Sequence, residues 1–149
     1  MKELTLGTTR RAVFIEGVHD GVPIALGYFV VAFTLGILAK TAGLTPWQGF
    51  VTSTINIASA GEYAGFTVIA AQAPYLEIAV LTLVANARYF LMAAALTQRF
   101  SPETSLLHRL AVSFGVTDEI FGITVARGGM LNPYYNYGAM AISIPAWSA

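Results

Sequence analysis

Residues 47–75 read WQGFVTSTINIASAGEYAGFTVIAAQAPY, twenty-nine residues with a single charged side chain, Glu62. As one straight helix at 1.5 Å per residue this stretch spans roughly 42 Å, more than the ~30 Å of a bilayer's hydrocarbon core. In lipid it must therefore tilt or break. Gly61 and Gly65 fall near its middle, where a break is easiest, and Pro74 closes it. On an unbroken helix Thr52, Asn56 and Ser59 share one face, with Glu62 at its edge.

Whether this stretch meets lipid is decided by the rest of the chain. Of 149 residues, 56% are hydrophobic and 11% charged, against roughly 25% charged in ordinary soluble domains. So few charges cannot cover a soluble surface, so the expected solvent is the bilayer and the expected fold is an all-α integral membrane protein. It is read as one transmembrane domain over residues 1–149. Net formal charge is zero and no basic cluster suits phosphates, which argues against nucleic acid as a partner. The absence of cysteine removes disulfides, thiol catalysis and Cys-ligated zinc together.

Residues 21–39, GVPIALGYFVVAFTLGILA, are nineteen uncharged residues of membrane length. Pro23 stands near their start, and Gly27 and Gly36 are placed for close helix approach. The charged lead before this run and the absence of a small-residue cleavage pattern after it predict a retained helix, with His19 and Asp20 at its entrance. A third apolar run, 78–96, carries Asn86 and Arg88 near its centre. Between it and a fourth run near 130–149 lie short amphipathic pieces, one expected to start at Ser101-Pro102-Glu103 and one at Thr117-Asp118-Glu119. In the last run Tyr134, Tyr135, Tyr137 and Trp147 have the character of interfacial anchors.

Charge distribution bears on the break. Lys2, Arg10 and Arg11 predict a cytoplasmic N-terminus. A second run that crosses once would deliver Arg99 and Arg109 to the outer side. One that enters, breaks near Gly61 and returns would keep them cytoplasmic, so the positive-inside bias favours a broken or re-entrant second element.

Ionisable residues at membrane depth are costly, about 2.5–3.5 kcal/mol for a charge at a helix centre on insertion scales. Glu62 is therefore a candidate for a cavity-facing or proton-carrying carboxylate, with Tyr63 beside it. Arg88 needs an anionic partner: Glu62, a substrate carboxylate, or Asp118 or Glu119. Asn86 and Arg88, two residues apart, point to different sides of a helix, which leaves Asn86 to the cavity. Thr and Ser in such runs also bond their own backbone, and Asn can join two helices without any ligand. No His-Glu-x-x-His, Walker glycine loop or Gly-x-Ser-x-Gly occurs, and nothing in the chain implies a cofactor, a metal or an enzyme.

Four segments in order, GVPIALGYFVVAFTLGILAKTAGLTP, NIASAGEYAGF, LVANARYFLMAAAL and GVTDEIFGIT, resemble the AzlC family, the large subunit of bacterial branched-chain amino acid exporters. The resemblance covers nearly the whole chain. Glu62 stands where that family often has Gln, and Tyr89 where His is common. Family members are considerably longer, and this chain ends within its fourth hydrophobic run. The resemblance implies a multi-pass protein of the bacterial inner membrane that exports branched-chain or similar amino acids, driven by a cation or proton gradient. It also implies a small AzlD-type membrane partner; self-association of the chain is the other contact to expect. A small amino acid would sit at the broken helix, oriented by Asn56, Ser59, Tyr63 and Asn86, with Glu62 binding its ammonium or a coupling proton. Glu62, Arg88, Asp118 and Glu119 are the candidate coupling or ion-pair residues. The alternative is a truncated, non-transporting membrane subunit whose polar residues serve helix assembly.

Overall fold

The computed structural model describes residues 9–149; Lys2 of the N-terminal charge cluster lies outside them. Among the described residues there are seven helices and no strand, only an isolated bridge between Phe100 and Leu131. The helices are α1 (Arg10–Thr41), α2 (Pro46–Ile55), α3 (Ser59–Ala70), α4 (Tyr75–Thr97), α5 (Leu106–Phe114), α6 (Asp118–Ala126) and α7 (Pro133–Ser148). Two of them, α1 and α4, are long and apolar enough to cross a membrane.

Helix α1 begins well before the apolar run, so Pro23 lies inside it and not near its start. The proline withholds one N–H, leaving the His19 carbonyl without its helical partner. The buried seam of α1 runs Val13, Gly17, Gly21, Ala25, Tyr28, Ala32, Leu35, Ala39, at steps of three and four. Its small residues admit α7 to backbone contact. A Cβ on Gly17 would overlap the Tyr135 carbonyl, and one on Gly21 would meet the Ala139 Cα at 3.0 Å. Further along, the rings of Tyr28 and Trp147 meet edge to face at 5.2 Å. Positions rise together on both helices, so α1 and α7 run parallel.

The expected approach at Gly27 and Gly36 does not occur; a Cβ at either would meet nothing within 4 Å. Neither lies on the seam, because the register is set by Gly17 and Gly21.

Chain interruption in the second apolar region falls at Asn56-Ile57-Ala58, not near Gly61. Gly61 sits inside α3, where a Cβ would overlap the Asn86 amide of α4, so this glycine serves close packing and not a bend. Thr52, Asn56 and Ser59 consequently do not share one helix face: Thr52 is in α2, Asn56 caps its C-terminus, and Ser59 opens α3. Helix α2 starts with a capping box, Thr45 accepting from Gln48 N–H at 3.3 Å and Gln48 Oε1 accepting from Thr45 N–H at 2.8 Å. Gly49 faces Ala39, close to the end of α1. Phe66 and Ile69 of α3 join a cluster with Leu35, Leu38, Ala39, Ala42 and Leu44, so α3 ends near where α2 began. Helix α4 then runs antiparallel to α3, placing Asn86 at Gly61 and Thr82 at Gly65.

After α4, Leu96, Phe100, Val112, Val116 and Leu131 form a second buried cluster. The helix expected at Ser101 starts instead at Leu106, capped by Ser105. Residues 101–104 form a turn because Arg109 claims their carbonyls, Ser101 O at 2.9 Å and Thr104 O at 3.1 Å. At α6 the expected start is observed, with Thr117 as N-cap and Asp118 and Glu119 in the first turn.

Two of the expected interfacial aromatics are core residues. Tyr135 is buried against α1 and donates to Asp20 at 2.8 Å, and Trp147 is 4% exposed. Arg127 forks onto Glu16 at 3.0 and 2.6 Å, and Arg10 lies over the Tyr134 ring at 5.2 Å. Arg99 donates to the Val125 and Gly129 carbonyls. These arginines gather with Arg109 at the end where α1 starts, while Lys40 stands at the other.

Candidate functional site

Three cavities surround the interruption between α2 and α3. The first, about 370 Å³, is lined by Tyr28, Ser59, Tyr89, Thr117, Asp118 and Glu119, with an apolar wall that includes Ile24, Val31 and Ile57. The second, about 650 Å³, holds Ser53 and Glu62 beside Leu35, Phe66 and Lys40. The third, about 400 Å³, holds Asn56 and Asn86. The residues expected to form one substrate site are thus divided: Ser59 in the first, Glu62 in the second, Asn56 and Asn86 in the third. Tyr63 is exposed and lines none of the three.

The first cavity carries the densest polar network. The Tyr28 oxygen lies 2.5 Å from both Glu119 Oε2 and Thr117 Oγ1. A phenol has one hydrogen, so the self-consistent arrangement donates it to the Glu119 carboxylate while the Thr117 hydroxyl donates to the phenol oxygen. Thr117 still accepts from the Ile120 N–H as the α6 cap. Three elements, α1, the α6 cap and the first turn of α6, are fixed by these few atoms. Helix α3 opens onto the same cavity at Ser59. Its N-cap residue, Ala58, has no side chain with which to satisfy the first-turn N–H groups. The first cavity is thus bordered by the start of α3 at Ser59 on one side and by Glu119 and the Arg88-paired Asp118 on the other, across a small apolar space.

Arg88 pairs with Asp118, Nη2 to Oδ2 at 2.8 Å, and sits 5.2 Å from the Tyr89 ring. Of the partners open to it from sequence, this is the one the geometry realises; Glu62 is not among its contacts. The pair links α4 to α6. Arg88→Gln is expected to leave Asp118 without its partner and to lower membrane abundance, with Arg88→Gln/Asp118→Asn recovering most of the loss. Quantitative blotting of membrane fractions reads this out; equal abundance of single and double variants would refute it.

Glu62 is 1% exposed. Its Oε1 accepts from the Ser53 hydroxyl across the interruption, and its Oε2 has no partner. The indole N–H of Trp147 is also buried without a partner, near this carboxylate but outside hydrogen-bond geometry. Asn86 donates to Asn56 Oδ1 at 3.0 Å, bridging α4 to the interruption.

Tyr28 and Trp147 were not legible as site residues from sequence. A signal for Tyr28 was present, since a phenol in the middle of an apolar run needs a hydrogen-bond partner. Trp147 had none, because its depth follows from the parallel α1–α7 pairing. Among the described residues no group of three or more His, Cys, Asp or Glu side chains could hold a metal.

Two long apolar helices and one buried carboxylate, Glu62, among helical described residues are compatible with a helical membrane protein. The family comparison agrees and is more specific: the AzlC protein family model matches residues 23–149, and the chain belongs to that family. It is 31% identical over 140 residues to "Inner membrane protein YgaZ" of Escherichia coli strain K12, covering 93% of this chain and 57% of that one. It is 28% identical over 120 residues to an uncharacterized membrane protein of Archaeoglobus fulgidus, covering 78% and 51%. A Helicobacter pylori (strain 26695) uncharacterized membrane protein is 28% identical over 114 residues, covering 74% and 49%. The chain thus spans about half the length of the curated relatives it matches. No solved structure matches it.

Proposed function

We propose that the chain is part of a multi-pass amino acid exporter of the bacterial inner membrane, moving branched-chain or similar amino acids with a cation or proton gradient. The observation that carries this reading is the interruption at Asn56–Ala58 beside the acid-lined cavity. Broken helices at membrane depth give transporters exposed half-helix ends for zwitterionic substrates. Here the uncapped start of α3 at Ser59 suits a substrate carboxylate. The Glu119 carboxylate suits its ammonium, and Ile24, Val31 and Ile57 suit an aliphatic side chain. Asn56 and Asn86 hold the interruption open from behind, and Glu62 is the coupling carboxylate.

On this reading α2 and α3 form a re-entrant pair, since α2 starts and α3 ends near the same end of α1. The α1 start, with Arg10, Arg99, Arg109 and Arg127 around it, is then cytoplasmic. The working unit includes a small AzlD-type membrane subunit, and it performs transport and no covalent chemistry.

The test is efflux from cells preloaded with valine, leucine and isoleucine, expressing the chain with and without an AzlD-type partner, beside Glu119→Gln at matched membrane abundance. Efflux that needs both the partner and Glu119 is the expected result. Inserted, stable protein that exports none of the three in any combination would defeat the reading. A second reading, a non-transporting subunit, draws on the Arg88–Asp118 and Asn86–Asn56 contacts, each of which joins separate elements. It predicts that substitutions there change abundance only.

A further inference from the structure

We propose that the first and second cavities are successive halves of one aqueous path through the protein, and that the Trp147 indole is the partition between them. The inference deepens the transport reading above and rests on it. The first cavity follows α1 from Pro23 to Val31, and the second follows it from Ala32 to Lys40. Together they accompany α1 for roughly 26 Å at 1.5 Å per residue, close to the ~30 Å of a hydrocarbon core. They share one lining residue, Trp147.

Trp147 has the placement of a plug. Its ring is buried, meets Tyr28 edge to face at 5.2 Å, and belongs to the same core cluster as Leu35, Ile57 and Phe66. Polar groups stand on both sides of this layer: Tyr28, Thr117 and Glu119 in the first cavity, Ser53 and Glu62 in the second. A space of about 650 Å³ bordered by a buried carboxylate is wide enough for water. Unpartnered Glu62 Oε2 and Trp147 Nε1 are the atoms that water or a polar solute would satisfy. An apolar layer between two chambers, with the Trp147 ring as its one member facing both, is the way hydrophobic constrictions close a pore.

Gly27 lines the first cavity and Gly36 the second, and a Cβ at either meets nothing within 4 Å. The chain has no cysteine, so Gly27→Cys and Gly36→Cys each report alone. In sealed vesicles of either orientation, a membrane-impermeant methanethiosulfonate reagent is expected to modify Gly27→Cys from the cytoplasmic face only and Gly36→Cys from the opposite face only. Adding Trp147→Ala should open each position to the other face, with labelling there about tenfold faster or more, while Trp147→Phe keeps the sidedness. Trp147→Leu, which preserves more apolar volume, repeats the test with less disturbance of packing. Labelling of both cysteines from one face, labelling of neither, or sidedness unchanged by Trp147→Ala and Trp147→Leu would overturn the proposal. Sided labelling without valine efflux would retain the path and remove the amino acid as its cargo, so failure of the transport reading is told apart from failure of the path.

Discussion

Gly17→Ala and Gly138→Ala are expected to destabilise this protein more than any other single-methyl addition described here. A Cβ on Gly17 falls on the Tyr135 carbonyl, and one on Gly138 falls on the Phe14 carbonyl. Both obstacles are backbone, so no rotamer change relieves them; the helices must move apart along the seam that carries most of the α1–α7 contact. Overpacking of this kind costs typically about 1–3 kcal/mol, up to about a hundredfold in the folding equilibrium. The two sites share one interface, so their combined effect should depart from additivity. Gly27→Ala and Gly36→Ala supply the control: with open space around the new methyl and a better helix former in place, they should be neutral or gain up to about 1 kcal/mol. Fluorescence-detected size-exclusion after heating ranks the four. Melting of Gly17→Ala within a degree or so of Gly27→Ala would refute the packing account.

Glu62→Gln should separate stability from activity. The carboxylate is buried, accepts from the Ser53 hydroxyl, and leaves its second oxygen unsatisfied. Among the described residues no Lys, Arg or His forms an ion pair with it. A charge held there without a cation is a cost, ~2.5–3.5 kcal/mol on insertion scales for a charge at a helix centre. Glutamine keeps the shape, still accepts from Ser53, and removes the charge. The unfolding midpoint should therefore rise or hold, while under the proposed function amino acid export falls to the background of cells without the chain. A Glu62→Gln protein with full export would remove the coupling role; one with a markedly lower midpoint would show that the charge has a stabilising partner.

Which parts of this arrangement could be read from the sequence follows from where the determining physics is local. Apolar length and the Thr117-Asp118-Glu119 cap are local: the two long apolar helices α1 and α4 cover the 21–39 and 78–96 runs, although α1 begins eleven residues earlier, and α6 starts at its expected cap. The length of the 47–75 run called for a tilt or a break, and the position of the irregular residues was not legible in it. Gly61 packs against the Asn86 amide from inside α3, and the irregular residues fall instead at Asn56–Ala58, where Asn86 donates to Asn56. The α5 start was misread because Arg109 reaches back to the Thr104 and Ser101 carbonyls, a side-chain contact that competes with the capping sequence at Ser101. Asn56, Ser59, Glu62 and Asn86 were recognisable as unusual at membrane depth. Their division among three cavities was not, since it depends on the interruption turning each to a different side.

Parallel pairing of α1 with α7 also has a consequence in time. Asp20 and Tyr135, hydrogen-bonded across that seam, are separated by 115 residues. At roughly 5–20 residues per second of synthesis, the first helix waits on the order of 6 to 23 seconds before its mate has been made. Throughout that interval the groove along Gly17 and Gly21 must be occupied by lipid chains or by an insertion factor. Slowing the ribosome between α1 and α7 therefore lengthens the period in which the nascent chain is open to wrong pairing and to proteolysis.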